Sequence, residues 1–199
     1  MNFFEPTDAE ALTHAFPHLP FALKHRFAGN PLLTLPKLAE LVRDLPRDRL
    51  EYNSGKAAID QRPETTPTVD LAPEEIVHNI ETAGAWMVLK SVEQDPAYRS
   101  LIDEALMEVA RMRGFGSLSA AGFQDIRGFI FVSSANSTTP FHADADENFF
   151  SRFTATNIST STTTAIARSH PKRRWRPARS STATCPMTRN STPDVPPTR

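Results

Sequence analysis

The sequence predicts an α+β fold in which N-terminal helices lead into strands, followed by a disordered C-terminal tail. Three observations carry that reading. Helix-opening signals precede amphipathic stretches in the body of the chain; short apolar runs of strand type follow them; and the composition changes abruptly near residue 150. A chain of 199 residues, 39% hydrophobic, suits one domain with a tail and can build a core.

The elements follow in order. Thr7 with Glu10 has the spacing of a capping box and predicts a short helix. Pro36 sits at the first turn of a helix over LPKLAELVRDL, and Pro73 does the same for APEEIVHNIETAG, with Gly84 as its stop. Between those helices, residues 53–70 are polar and aperiodic and read as a surface loop. Trp86, Met87, Val88 and Leu89 form a buried strand-like run. Asp95 and Pro96 open a long helix over 96–112, in which Tyr98, Leu101, Ile102, Ala105, Leu106 and Val109 recur at the helical period. Gly114 and Gly116 end it. Phe129 to Val132 is a strand, and Ser133 to Thr139 a turn-rich loop leading into Pro140, Phe141, His142, Ala143 and Asp144.

The near-neutral net charge of −1 hides a split. Residues 1–150 carry 13 Lys and Arg against 22 Asp and Glu, a balance of −9; residues 151–199 carry 9 against one, a balance of +8. That last stretch holds 18 Ser and Thr and 6 Pro, with no Leu and no Gly. It lacks the apolar burial that offsets the entropy of ordering a chain, so it is expected to be disordered. Its run Lys172-Arg173-Arg174-Trp175-Arg176 suits RNA or another polyanion, should the tail be genuine. One cysteine, Cys185, excludes a disulfide scaffold and a thiolate zinc site. No apolar run approaches the roughly 18 residues of a membrane span, and the acidic start MNFFEPTDAEALTHAF does not resemble a secretory signal. The expectation is a cytoplasmic protein without membrane contact.

His142 and Asp144 carry the chemistry. In an extended segment residues i and i+2 point to the same face, so imidazole and carboxylate converge. They supply two thirds of a facial two-histidine, one-carboxylate site of the kind that suits non-haem Fe(II). His14, His18, His25, His78 and His170 have no such partner and read as structural or solvated.

The run FIFVSSANSTTPFHADADENFF resembles the metal-site entry of the cupin-like JmjC family of Fe(II)/2-oxoglutarate oxygenases, where a strand and loop lead to T-P-x-H-x-D and then N-F. Thr139, Pro140, His142, Asp144, Asn148 and Phe149 fall in register, and WMVLKSVEQDPAYRSLIDEAL is similar to the region upstream of that site in bacterial cupin-like proteins. The resemblance covers roughly residues 70–150. It implies an N-terminal helical and irregular section over 1–70, and over 71–150 the start of a double-stranded β-helix, or jelly-roll. It further implies iron on His142 and Asp144, and Thr139 and Asn148 at the 2-oxoglutarate carboxylate. The implied reaction is hydroxylation of a protein side chain or small molecule.

The family needs a second histidine on a later strand. Only His170 follows His142, in Ser-His-Pro-Lys-Arg-Arg, which has no strand pattern. The basic residue that the family places opposite the distal carboxylate of 2-oxoglutarate also has no match, and two protein ligands seldom give a firm metal site. The resemblance stops where the composition changes, which a shifted reading frame would explain. Read one base over, the codons for 152–158 admit an alternation of apolar and polar residues like a half-buried strand. Those for 184–189 admit L-P-Y-D-P, with the Asp forced by Met187 and Thr188. The chain is therefore expected to be a truncated, frame-shifted and inactive member whose jelly-roll is incomplete. A jelly-roll takes about eight strands, so open strand edges, marginal stability and poor solubility are expected. Two other classes stay open: a non-catalytic cupin-fold binding module, and a polyanion-binding protein acting through the 151–199 tail.

Overall fold

Four α-helices and five strands form among the described residues of the computed structural model, which are 2–19, 21–58, 60–62, 65–138 and 148–153, with the backbone alone for 165–167. The chain divides into two units, Met1–Ser169 and His170–Arg199, and the second lies outside the described residues, as does most of the expected tail.

Helix α1 spans Ala9–Ala15 and follows a 3-10 turn over Pro6–Asp8. The expected capping box of Thr7 and Glu10 does not form. Pro6 sets the 3-10 turn first, the helix starts one residue later than the box requires, and Asp8 stands at its N-cap. The Asp8 carboxylate instead accepts a hydrogen bond from the Lys24 amide at 2.7 Å, tying the turn to the chain beyond it. Helix α2, Leu35–Asp44, has Pro36 in its first turn and buries Leu38, Ala39, Leu41 and Val42.

Helix α3 is shorter than its sequence pattern suggests. It opens at Pro73 and ends at His78, six residues before Gly84. Asn79 takes over the end: its side-chain amide donates to the Glu75 carbonyl, and its own carbonyl accepts from the Thr82 amide, turning the chain out of the helix. Helix α4, Pro96–Met112, matches its expected bounds. The Asp95 carboxylate accepts from the Ala97 and Tyr98 amides at 2.8 and 3.3 Å, satisfying donors that the first turn leaves open. At the other end Gly114, at φ +82°, lets its amide reach the Arg111 carbonyl and the Phe115 amide reach Ala110. That pair of bonds is a Schellman stop, which needs a left-handed residue. Among the described residues no helix is long and apolar enough to cross a membrane.

Strands β1 (Leu50–Ser54), β2 (Ala85–Lys90) and β3 (Phe129–Ser133) make an antiparallel sheet in the order β1-β2-β3. The expected strands at Trp86–Leu89 and Phe129–Val132 are present; β1 corrects the expected loop, whose first two residues it takes in. Its five residues hold only Leu50 and Tyr52 as large apolar groups, too few to show a period. Pairing against β2, Leu50 to Leu89 and Tyr52 to Met87, makes it a strand.

Side chains alternate across the sheet. One face carries Leu50, Ala85, Met87, Leu89 and Val132, all buried in a core shared with Leu38 and Val42 of α2, Ile76 and Val77 of α3, and Tyr98 and Val109 of α4. The Tyr98 hydroxyl donates to the Leu32 carbonyl at 2.7 Å, and burial pushes its pKa up to about 12. Strands β4 (Asn148–Phe150) and β5 (Ala165–Ala167) form a separate antiparallel pair. The α+β class therefore holds as helices with a three-stranded antiparallel sheet.

Candidate functional site

The chain leaves β3 through a loop that hydrogen bonds hold against the start of β2. Ser134 is buried. Its amide donates to the Ala85 carbonyl at 2.9 Å, its hydroxyl accepts from the Ala85 amide at 3.1 Å, and the same hydroxyl donates to the Ile80 carbonyl. Ser137 adds a hydroxyl bond to Ala85 at 3.3 Å. Between them Asn136 takes φ +59°, a left-handed position that asparagine tolerates better than most residues.

Gly55 closes the arrangement. Its amide donates to the Gly84 carbonyl at 2.7 Å, and its carbonyl accepts from the Thr138 amide at 2.9 Å. A Cβ at this position would run into the Ser137 hydroxyl, so a side chain is excluded by close approach rather than by backbone angle. The loop is thus fixed up to the residue before Thr139.

The other flank is held by aromatic packing. Phe149 stacks on Phe16 with ring centroids 5.9 Å apart and meets Phe123 edge-on at 5.8 Å. Phe150 meets Phe131 of β3 at 6.5 Å. Arg113 lays its guanidinium over Phe16 at 4.1 Å and donates to the Ala121 carbonyl, bracing that cluster from α4's end. Asn148 opens β4, opposite Ala167. Of the expected site residues, Asn148 is therefore placed at a strand start; Thr139, His142 and Asp144 lie outside the described residues.

The second face of the sheet borders this region. It carries Trp86, Val88, Phe129 and Phe131, with Glu51 and Lys90 paired at 2.6 Å along it. Phe129 and Phe131 are 49% and 52% exposed, and Phe150 is 49% exposed. The indole nitrogen of Trp86 is buried and makes no hydrogen bond among the described residues. Large exposed aromatic groups sharing one face are uncommon on a folded domain.

Among the described residues no group of three His, Cys, Asp or Glu side chains could hold a metal ion. A shallow groove of about 730 Å³ runs along α4 and the N-terminal segment, lined by Arg99, Asp103, Met107 and Glu108 among others; it has no residue of the sheet. Sequence reasoning passed over Ser134, Ser137 and Gly55, the residues that hold the loop. Their signal was present only as small residues on both sides of a gap of about 80 positions. No family model, curated protein or solved structure matches the chain.

Proposed function

We propose that this protein is a catalytically silent member of the cupin-like JmjC-type class of Fe(II)/2-oxoglutarate hydroxylases, carrying the first part of a jelly-roll. One observation carries the reading: the Thr139-Pro140-x-His142-x-Asp144 run with Asn148-Phe149 is entered from β3 and left through β4. The open aromatic face of the β1-β2-β3 sheet supports it, since a jelly-roll closes such a face with a second sheet.

The donor set does not fit the iron that the class uses. His142 and Asp144 are two ligands where three are needed, and His170 sits in a basic, proline-flanked segment without strand pattern. No catalytic step is assigned to this chain. Thr139 and Asn148 keep the positions that bind 2-oxoglutarate in the class, without the basic partner for its far carboxylate.

Incubation with Fe(II), 2-oxoglutarate and oxygen tests the silence: no succinate above that of a His142→Ala variant is expected, and succinate lost on that substitution would overturn it. The class assignment is tested separately in the coding DNA. The overlapping frame beyond codon 150 is expected to stay open and encode alternating strands with a second histidine; early stops in it would remove the assignment.

A further inference from the structure

We propose that His25 is a proton-operated latch that holds the N-terminal hairpin closed when neutral and releases it when charged. The hairpin pairs Phe3–Glu5 with Lys24–Arg26: Phe4 bridges His25, the Arg26 amide donates to the Phe3 carbonyl at 2.8 Å, and the Glu5 amide to Lys24 at 3.3 Å. His25 is 7% exposed and packs 5.2 Å from the Phe27 ring, which stacks on Phe3 at 5.1 Å and meets Phe4 edge-on at 5.9 Å.

The hydrogen bonding admits one protonation state. Nδ1 accepts a long bond, 3.4 Å, from the Phe27 amide, so the single proton of the neutral ring belongs on Nε2. A second proton would set an N–H against an N–H and place a charge among phenylalanine rings. Nε2 is buried without a hydrogen bond of good geometry. The Arg152 main chain lies near enough to favour the charged form weakly, but burial is the larger influence and lowers the pKa from 6.5.

The charged groups on the segments that meet this hairpin are three carboxylates, Glu5, Asp8 and Glu108, and three cations, Lys24, Arg26 and Arg152. Glu5 pairs with Arg26 at 2.6 Å, Asp8 holds the Lys24 amide, and Glu108 of α4 accepts from the Phe3 and Phe4 amides at 2.6 and 3.0 Å. Among the described residues none of these forms an ion pair with His25.

The sign follows from the lowered pKa. The open hairpin binds the proton more readily than the closed one, so closure is favoured at neutral pH and weakens as pH falls below 6.5. With an ordinary imidazole pKa near 6.5 in the open form, the opening equilibrium rises by up to about tenfold from pH 7.5 to 5.5. Amide hydrogen exchange on the full chain, corrected for intrinsic rates, reads this directly. Protection of the Arg26 and Phe27 amides is expected to fall several-fold, towards that limit, while the Met87 and Leu89 amides hold. Unchanged protection, an equal fall at both places, or the same fall in a His25→Phe variant would overturn the latch. Should that variant not fold, titration of the His25 ring in the unaltered chain decides: a midpoint at or above 6.5 would overturn it too.

Discussion

On one face of the β1-β2-β3 sheet, Ala85, Met87 and Leu89 are wholly buried beneath the helical section. On the other, Phe129 and Phe131 remain about half exposed, although they stand on β3, the strand paired directly with β2. Both faces are apolar enough to seek cover. The difference is that α2, α3 and α4 pack on the first face, whereas the second keeps Val88 buried but leaves Phe131, with Phe150 edge-on against it, half exposed. Apolarity alone therefore does not say which face of a strand is core. What decides is whether the chain supplies a second layer for it.

Substitutions on the two faces sharpen the contrast. Leu89→Ala empties a fully buried site and is expected to cost about 3 kcal/mol of unfolding free energy in a denaturant titration. A loss below about 1 kcal/mol would mean that the covered face is poorly packed. Ser134→Ala removes the hydroxyl that serves both the Ala85 amide and the Ile80 carbonyl, leaving two buried groups unmatched. A cost of about 2 kcal/mol is expected, with faster exchange at the Thr138 amide as the loop loosens. If stability falls and that amide does not change, Ser134 supports the sheet but not the loop. Phe129→Ser on the open face should change stability by no more than about 0.5 kcal/mol, while light scattering at fixed concentration falls. A loss as large as that of Leu89→Ala would show that the open face is covered in solution and would erase the comparison.

The strongest local signals were legible in the sequence. Helix α4 was readable to its ends because Asp95, Pro96 and Gly114 each act within a turn of where they stand. The cores of β2 and β3 were readable from unbroken apolar runs. Failures share a physical origin. Thr7 and Glu10 have the spacing of a cap, yet Pro6 and the reach of Asp8 to Lys24 set the turn differently. The Gly84 stop was sound chemistry in the wrong place, since Asn79 had already ended α3. Strand β1 had no signal of its own. At the candidate site the sequence offered His142, Asp144, Thr139 and Asn148 through a pattern of spaced residues, and it gave no hint that Ser134 and Gly55 hold the approach to it.

By itself, the sequence determined the charge division at residue 150, the α4 boundaries, the two apolar strand runs and the i, i+2 spacing of His142 and Asp144. All of these rest on residues within a few positions of one another, where chain geometry alone relates them. Only the tertiary structure decided that residues 50–54 are a strand, that Ala85 rather than Trp86 points to the core, and that Gly55 and Ser134 lock the loop before Thr139. Those outcomes depend on partners about 30 to 80 residues away. A hydrogen bond or a buried contact at that separation leaves no mark on either local sequence until the chain has folded.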